Sequence, residues 1–84
     1  MTIKVKDIAH LRELIGKGMN RYHIRLNFGL KSSKWIELNG DNFYIFNEID
    51  GSDDVLTESE IMDDRFTNIG SAINAGAFFA EYYR

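Results

Sequence analysis

The spacing of hydrophobic residues predicts a helix and then a strand in the first third of the chain. Between Val5 and Ile15 apolar residues recur every three or four positions, which is typical of a helix with one buried face. Asp7 suits the N-cap of this helix. From Tyr22 to Phe28 apolar and polar residues alternate, and this period of two predicts a strand.

Two further strands follow in the pattern, at Lys34 to Leu38 and at Phe43 to Ile49. The dipeptide Asn39-Gly40 between them is a strong hairpin signal, so we expect an antiparallel meander of three strands. In the last of these strands Tyr44 and Phe46 face away from the other apolar residues, which makes both of its faces apolar. Something must therefore cover each face, either other elements of this chain or a partner.

The second half of the chain predicts short helices. Thr57-Glu58-Ser59-Glu60 fits a capping box, and a second helix can begin at Thr67 or Asn68. Residues 77–83 can continue that helix, but their aromatic content favours an edge strand. The expected fold is a single α+β domain over all 84 residues. It has an N-terminal helix, a three-stranded antiparallel meander, one or two short helices and a C-terminal edge strand.

Composition removes several classes of function. The chain has no cysteine, which excludes disulfides, thiolate zinc sites and a cysteine nucleophile. The acidic run that begins at Asp50 fails as a calcium loop, because Val55 stands where an EF-hand needs glycine. We find no catalytic motif and no signal or membrane-spanning stretch. We therefore expect a cytoplasmic protein that is not an enzyme and has no cofactor, no metal and no membrane partner.

Charge is divided unevenly along the chain. Residues 1–36 hold eight of the ten Lys and Arg residues, whereas residues 37–84 hold eleven of the thirteen Asp and Glu residues. A solvated acidic segment of this kind repels polyanions and can attract a basic partner. The candidate acidic surface consists of Asp50, Asp53, Asp54, Glu58, Glu60, Asp63 and Asp64.

A second candidate surface combines cations with aromatic rings. If one sheet face presents Arg25, Lys34, Trp35 and Tyr44, it offers stacking platforms and positive charge to single-stranded nucleic acid. Trp, Tyr and Arg also dominate the energetics of protein interfaces. The order of elements resembles double-stranded RNA-binding domains, but those domains have a lysine cluster where this chain has Asp63-Asp64-Arg65, so the sequence argues against that function.

Five segments together resemble a group of short uncharacterised proteins encoded by phages and prophages of Gram-positive bacteria, over about residues 22–80. The segments are residues 25–34 (RLNFGLKSSK), 46–50 (FNEID), 56–60 (LTESE), 67–70 (TNIG) and 72–77 (AINAGA). The resemblance implies no catalytic or ligand-binding residue. It implies a small protein that binds and redirects a host protein or blocks a defence system.

The sequence therefore favours a non-enzymatic protein-binding module whose partner is a host or phage protein. One alternative is a module that binds single-stranded nucleic acid through the sheet face. Another is a homo-oligomeric structural protein, in which the basic and acidic regions of neighbouring chains attract each other.

Overall fold

The computed structural model describes residues 2–25 and 31–81, which form one six-stranded sheet and three helices. The α+β class is thus confirmed. The predicted first strand extends to residue 28 and the predicted C-terminal strand to residue 83. Residues 26–28 and 82–83 of these two predictions lie outside the described residues. The elements in chain order are β1 (Thr2–Lys4), α1 (Ile8–Gly16), β2 (Arg21–Arg25), β3 (Lys31–Asn39), β4 (Asn42–Asn47), β5 (Asp53–Leu56), α2 (Glu58–Ile61), α3 (Ile69–Asn74) and β6 (Phe78–Glu81).

All neighbouring strands are antiparallel, in the order β1-β6-β2-β3-β4-β5. The sheet is therefore larger than the predicted meander of three strands. The last strand is also not an edge strand, because Ala80 of β6 lies opposite Ile3 on one side and Tyr22 on the other. Phe78 and Ala80 of this inner strand are both fully buried.

The helices begin at the capping residues that the sequence indicates. Asp7 accepts a hydrogen bond of 2.8 Å from the backbone N–H of His10, and Thr57 forms the predicted capping box with Glu60. The third helix has Asn68 at its N-cap without a side-chain bond, whereas Thr67 Oγ1 accepts from the N–H of Ile69 at 3.2 Å. These local bonds satisfy backbone groups that the first turn of a helix leaves unpaired.

The hydrophobic core lies between the helices and one face of the sheet. Its largest members, Tyr22, Phe43 and Phe78, are fully buried, and the rings of Tyr22 and Phe78 stack with centroids 5.4 Å apart. Leu11 of α1 and Ile61 of α2 belong to the same cluster. Because side chains alternate along a strand, the strand residues between these core positions point to the opposite face, which we call the open face.

Candidate functional site

Two rows of side chains cross the open face on β3, β4 and β5. In one row Trp35 lies opposite Phe46, which lies opposite Asp53. In the next row Glu37 lies opposite Tyr44, which lies opposite Val55. We call Trp35, Tyr44 and Phe46 the aromatic patch. Directly opposed residues such as Trp35 and Phe46 have Cβ atoms about 5 Å apart, and Tyr44, in the next row, is diagonal to Trp35 at about 7–8 Å.

Two carboxylates accept hydrogen bonds from the polar atoms of the aromatic patch. The indole Nε1 of Trp35 donates to Glu37 Oε2 at 2.6 Å, and the hydroxyl of Tyr44 donates to Asp53 Oδ2 at 3.0 Å. The bond to Asp53, together with that residue's negative charge, raises the pKa of Tyr44. The surface is accessible to a partner, since Trp35 is 37% exposed and Val55 is 43% exposed.

An ion pair borders the patch on the side of β2. Arg21, which lies opposite Trp35, donates to both carboxylate oxygens of Glu48, at 3.0 and 2.6 Å. These bonds lower the pKa of Glu48. A cavity of about 430 Å³ opens beside Trp35, between Arg21, Met19 and Glu81. This cavity gives the edge of the patch a concave shape that a side chain of a partner can enter.

Arg25 shares the open face with Trp35 and Tyr44 but lies at its far end. It is four residues along β2 from Arg21, which corresponds to about 13 Å. Its guanidinium group lies 4.4 Å from the ring centre of Phe79. The structure therefore places the three predicted residues on one face without bringing Arg25 into the aromatic patch.

His23 is the fully buried polar residue at this far end of the face. Its ring stacks on Phe79 with centroids 5.6 Å apart, and its Nδ1 atom lies 3.0 Å from Glu81 Oε1. Cross-strand pairs from β2 and β6 produce this arrangement, since His23 lies directly opposite Phe79. The cluster anchors β6 in the sheet beside the surface that carries Arg25.

The prediction that Lys34 shares this face is wrong. Lys34 precedes Trp35 in β3, and adjacent residues of a strand point to opposite faces. Its amine donates to Asn47 Oδ1 at 2.5 Å on the helix side, where the two residues line a cavity of about 420 Å³. Burial lowers the pKa of Lys34, and the charge of Asp50 opposes that shift.

The acidic candidates do not form one surface. Strand register places Asp53 on the open face and Asp54 on the opposite face. Asp54 Oδ1 accepts from the backbone N–H of Val55 at 2.8 Å, at the edge of the sheet. Asp50 instead stabilises the turn before β5, where it accepts from the N–H and the hydroxyl of Ser52 at 2.9 and 2.6 Å.

The four remaining acids bind groups of their own chain. Glu58 lies 3.6 Å from the Nε atom of Arg12, and Glu60 accepts from the N–H of Thr57 at 2.9 Å. Asp63 pairs with Arg65 at 2.7 Å, and Asp64 accepts from the hydroxyl of Ser71. Among the seven acidic candidates, Asp53 is the one that joins the aromatic patch. The two surfaces that the sequence suggested thus meet at the bond between Tyr44 and Asp53.

Sequence reasoning missed three residues of this site. Alternation along β4 places Phe46 on the same face as Tyr44, but that signal does not distinguish a binding residue from one covered by the rest of the chain. Glu37 follows Trp35 by two positions in a strand, so alternation alone places it on the same face. Val55 had no such signal, because two aspartates open β5 and disfavour a strand prediction there.

Within residues 2–25 and 31–81, no group of three or more His, Asp or Glu side chains is placed to hold a metal ion. No helix in this part of the chain has the length and apolar character needed to cross a membrane. In comparisons with known proteins, no family model, curated protein or solved structure matches this chain.

Proposed function

We propose that this chain is a small non-enzymatic protein-binding module of the phage type, and that its open face binds the partner. The observation that carries the proposal is the aromatic patch of Trp35, Tyr44 and Phe46, which lies on the face opposite the three helices. The partner is a host or phage protein in the bacterial cytoplasm, as the resemblance to phage and prophage proteins suggests.

The composition of the open face supports binding. The solvated face of an antiparallel sheet normally carries polar residues. Here adjacent rows instead bring Trp35, Phe46 and Tyr44 together, with Val55 beside them. Aromatic residues that are surrounded by polar groups are typical of the centre of protein interfaces, where a few of them provide most of the binding free energy.

The experiment is capture of the partner by tagged protein from nuclease-treated Gram-positive host lysate. Trp35→Ala and Tyr44→Ala are compared with Phe66→Ala, which removes an exposed ring outside the sheet. We expect each patch variant to reduce capture at least about 10-fold, as a loss of 1.4 kcal/mol or more at a hot spot does. Phe66→Ala should capture normally. Circular dichroism verifies that all variants fold.

The result that contradicts this proposal is equally strong capture by the wild-type protein and by both patch variants. Loss of capture in Phe66→Ala alone would also contradict it, because the binding surface would then lie on the helix side. The same capture experiment with the wild-type protein and these variants tests both outcomes.

Binding of single-stranded nucleic acid is a second candidate, supported by the contact between Arg25 and Phe79. This contact, at 4.4 Å from the ring centre, holds an exposed guanidinium in place, where it can bind a phosphate. If this function is correct, Arg25→Ala and Trp35→Ala each weaken binding of a deoxythymidine oligonucleotide at low salt. Unchanged titrations with both variants would exclude it.

Self-association is a third candidate, supported by the opposite charges of the two sheet edges. Edge strand β1 contains Lys4, whereas edge strand β5 contains Asp53 and Asp54. Attraction between such edges weakens as salt screens the charges. Light scattering at low and high salt tests it, since a homo-oligomer of this kind would show a molar mass that falls with salt. A monomer mass at low salt would exclude it.

A further inference from the structure

We propose that the aromatic patch binds a cationic side chain of the partner, preferentially arginine, between its rings and the carboxylates of Glu37 and Asp53. This inference rests on the proposed protein-binding function and specifies the chemistry of the partner. Three observations support it. The two acids lie beside the rings, and neither forms an ion pair with a described residue. In addition, Arg12 of this chain lies against a ring and a carboxylate in a similar way.

The two carboxylates lie at opposite corners of the patch. Asp53 ends the row of Trp35 and Phe46, whereas Glu37 begins the row of Tyr44. Both acids are exposed, and each accepts a hydrogen bond from a ring of the patch. They are thus held beside the rings, so a ligand that contacts the aromatic patch lies close to negative charge.

Neither of these carboxylates has a cationic partner within residues 2–25 and 31–81. The ion pairs of this part of the chain instead involve Glu13, Glu48, Glu58, Asp63 and Glu81. The nearby guanidinium of Arg21 is held by Glu48 through two bonds. The patch therefore presents two negative charges that these residues leave uncompensated, and it is electrostatically complementary to a cation.

The rings and the acids favour the same ligand. The face of an aromatic ring carries negative potential and attracts a cation, with about 0.5–1 kcal/mol at exposed sites. A guanidinium group is planar, so it can stack on a ring while its edge donates two bonds to a carboxylate. A lysine ammonium group lacks this geometry. The patch should therefore prefer arginine to lysine.

An arginine of this chain already occupies such an arrangement. The guanidinium carbon of Arg12 lies 4.5 Å from the ring centre of Phe43, and its Nε atom lies 3.6 Å from the carboxylate of Glu58. The ring, the carboxylate and the backbone oxygen of Asp41, which accepts from Arg12 Nη2 at 2.5 Å, thus hold one guanidinium together. On the open face a ring and a carboxylate are also present, and the guanidinium is the component that a partner would supply.

Trp35 is the single tryptophan, so its fluorescence reports directly on the patch. The probe is an acetylated and amidated tetra-arginine peptide, titrated at low salt. The comparison peptides are tetra-lysine and tetra-citrulline, since citrulline has the size of arginine without its charge. We expect a saturable change with tetra-arginine, a weaker affinity for tetra-lysine, and no saturable change with tetra-citrulline.

The decisive variant is the double change Glu37→Gln and Asp53→Asn, which removes both charges but keeps an oxygen that can accept from each ring. We expect it to weaken tetra-arginine binding at least about 5-fold, as loss of two exposed charge contacts does. The matched control is Asp41→Asn, which removes an exposed charge from the turn between β3 and β4. This control should bind with an affinity within about 2-fold of wild type.

Three results would overturn the inference. They are equal binding of tetra-citrulline, equal weakening by Asp41→Asn and by the double variant, and tighter binding of a deoxythymidine oligonucleotide than of tetra-arginine. Failure here can be distinguished from failure of the proposed function. If the double variant still captures the partner while Trp35→Ala does not, protein binding stands and the preference for a cation is wrong.

Discussion

The hydroxyl of Tyr22 donates a hydrogen bond of 2.7 Å to the backbone oxygen of Met19 inside the core. Tyr22 is fully buried, and burial raises its pKa above the ordinary value of about 10. The unfolded chain loses this proton near pH 10, whereas the folded chain keeps it. The stability that Tyr22 contributes is therefore complete below about pH 10 and is lost as the pH rises towards the folded pKa.

We expect the free energy of unfolding in urea to fall as the pH rises above about pH 10. Tyr22→Phe should cost about 1 kcal/mol at pH 7, because the oxygen of Met19 loses its donor. The same variant should lose less stability than wild type as the pH rises. Equal pH dependence of the two proteins would show that Tyr22 is not the group responsible.

The pair of Arg21 and Glu48 predicts an effect at low pH. Because Arg21 lowers the pKa of Glu48, the pair contributes stability above the ordinary pKa of about 4.3, and that contribution is lost as the pH falls through the folded pKa. Glu48→Gln should cost about 0.5–1 kcal/mol at pH 7, since the pair is partly exposed.

The measurement is urea unfolding of Glu48→Gln and wild type at pH 7 and at about pH 2, where the difference between them should shrink. Glu13→Gln is the control, because its pair with Lys17 is much more exposed. A control that loses as much stability as Glu48→Gln would contradict the assignment.

Gly70 should not tolerate a side chain. A Cβ atom there would lie 2.7 Å from the Cα atom of Met62 and 3.1 Å from the oxygen of Ile61, which are backbone atoms that cannot rotate away. We expect Gly70→Ala to lower the free energy of unfolding by about 1–3 kcal/mol. The control is Gly16→Ala at the end of α1, where a Cβ atom meets nothing within 4 Å. Thermal unfolding that ranks the two variants equally would refute this prediction.

One substitution should show how much the capping box of α2 contributes to the free energy of unfolding. The hydroxyl of Thr57 accepts from the N–H of Glu60 at 3.2 Å, so Thr57→Ala should cost about 1 kcal/mol in urea unfolding. Thr57→Ser keeps the oxygen and should remain close to wild type. If serine destabilises the protein as much as alanine does, the methyl group of Thr57 rather than its hydroxyl is responsible.

Short sequence patterns correctly predicted the structural features that depend on residues close together in the chain. The N-cap at Asp7 and the capping box at Thr57 were predicted from the sequence, because each needs a particular side chain at one position. Strand β5 was not predicted, since Asp53 and Asp54 disfavour a strand. It forms because it pairs with β4, a contact between segments that no local pattern records.

The candidate site was predicted in part for the same reason. Alternation along single strands was enough to expect Trp35 and Tyr44 on a surface, and it should have placed Lys34 on the opposite one. The bond between Tyr44 and Asp53 depends on the register of β4 with β5, so sequence reasoning treated the two residues as members of separate surfaces. The position of Arg25 at the far end of the face likewise required the register of β2 with β3.

Strand β6 also determines when this protein can fold during synthesis. β6 fills the space between β1 and β2, so the sheet stays divided until residue 81 has left the ribosome. Until then β1 lacks β6, the strand with which it pairs among residues 2–25 and 31–81. Because contacts between distant segments slow folding, we expect the pairing of β6 with β1 and β2 to be a late step of folding.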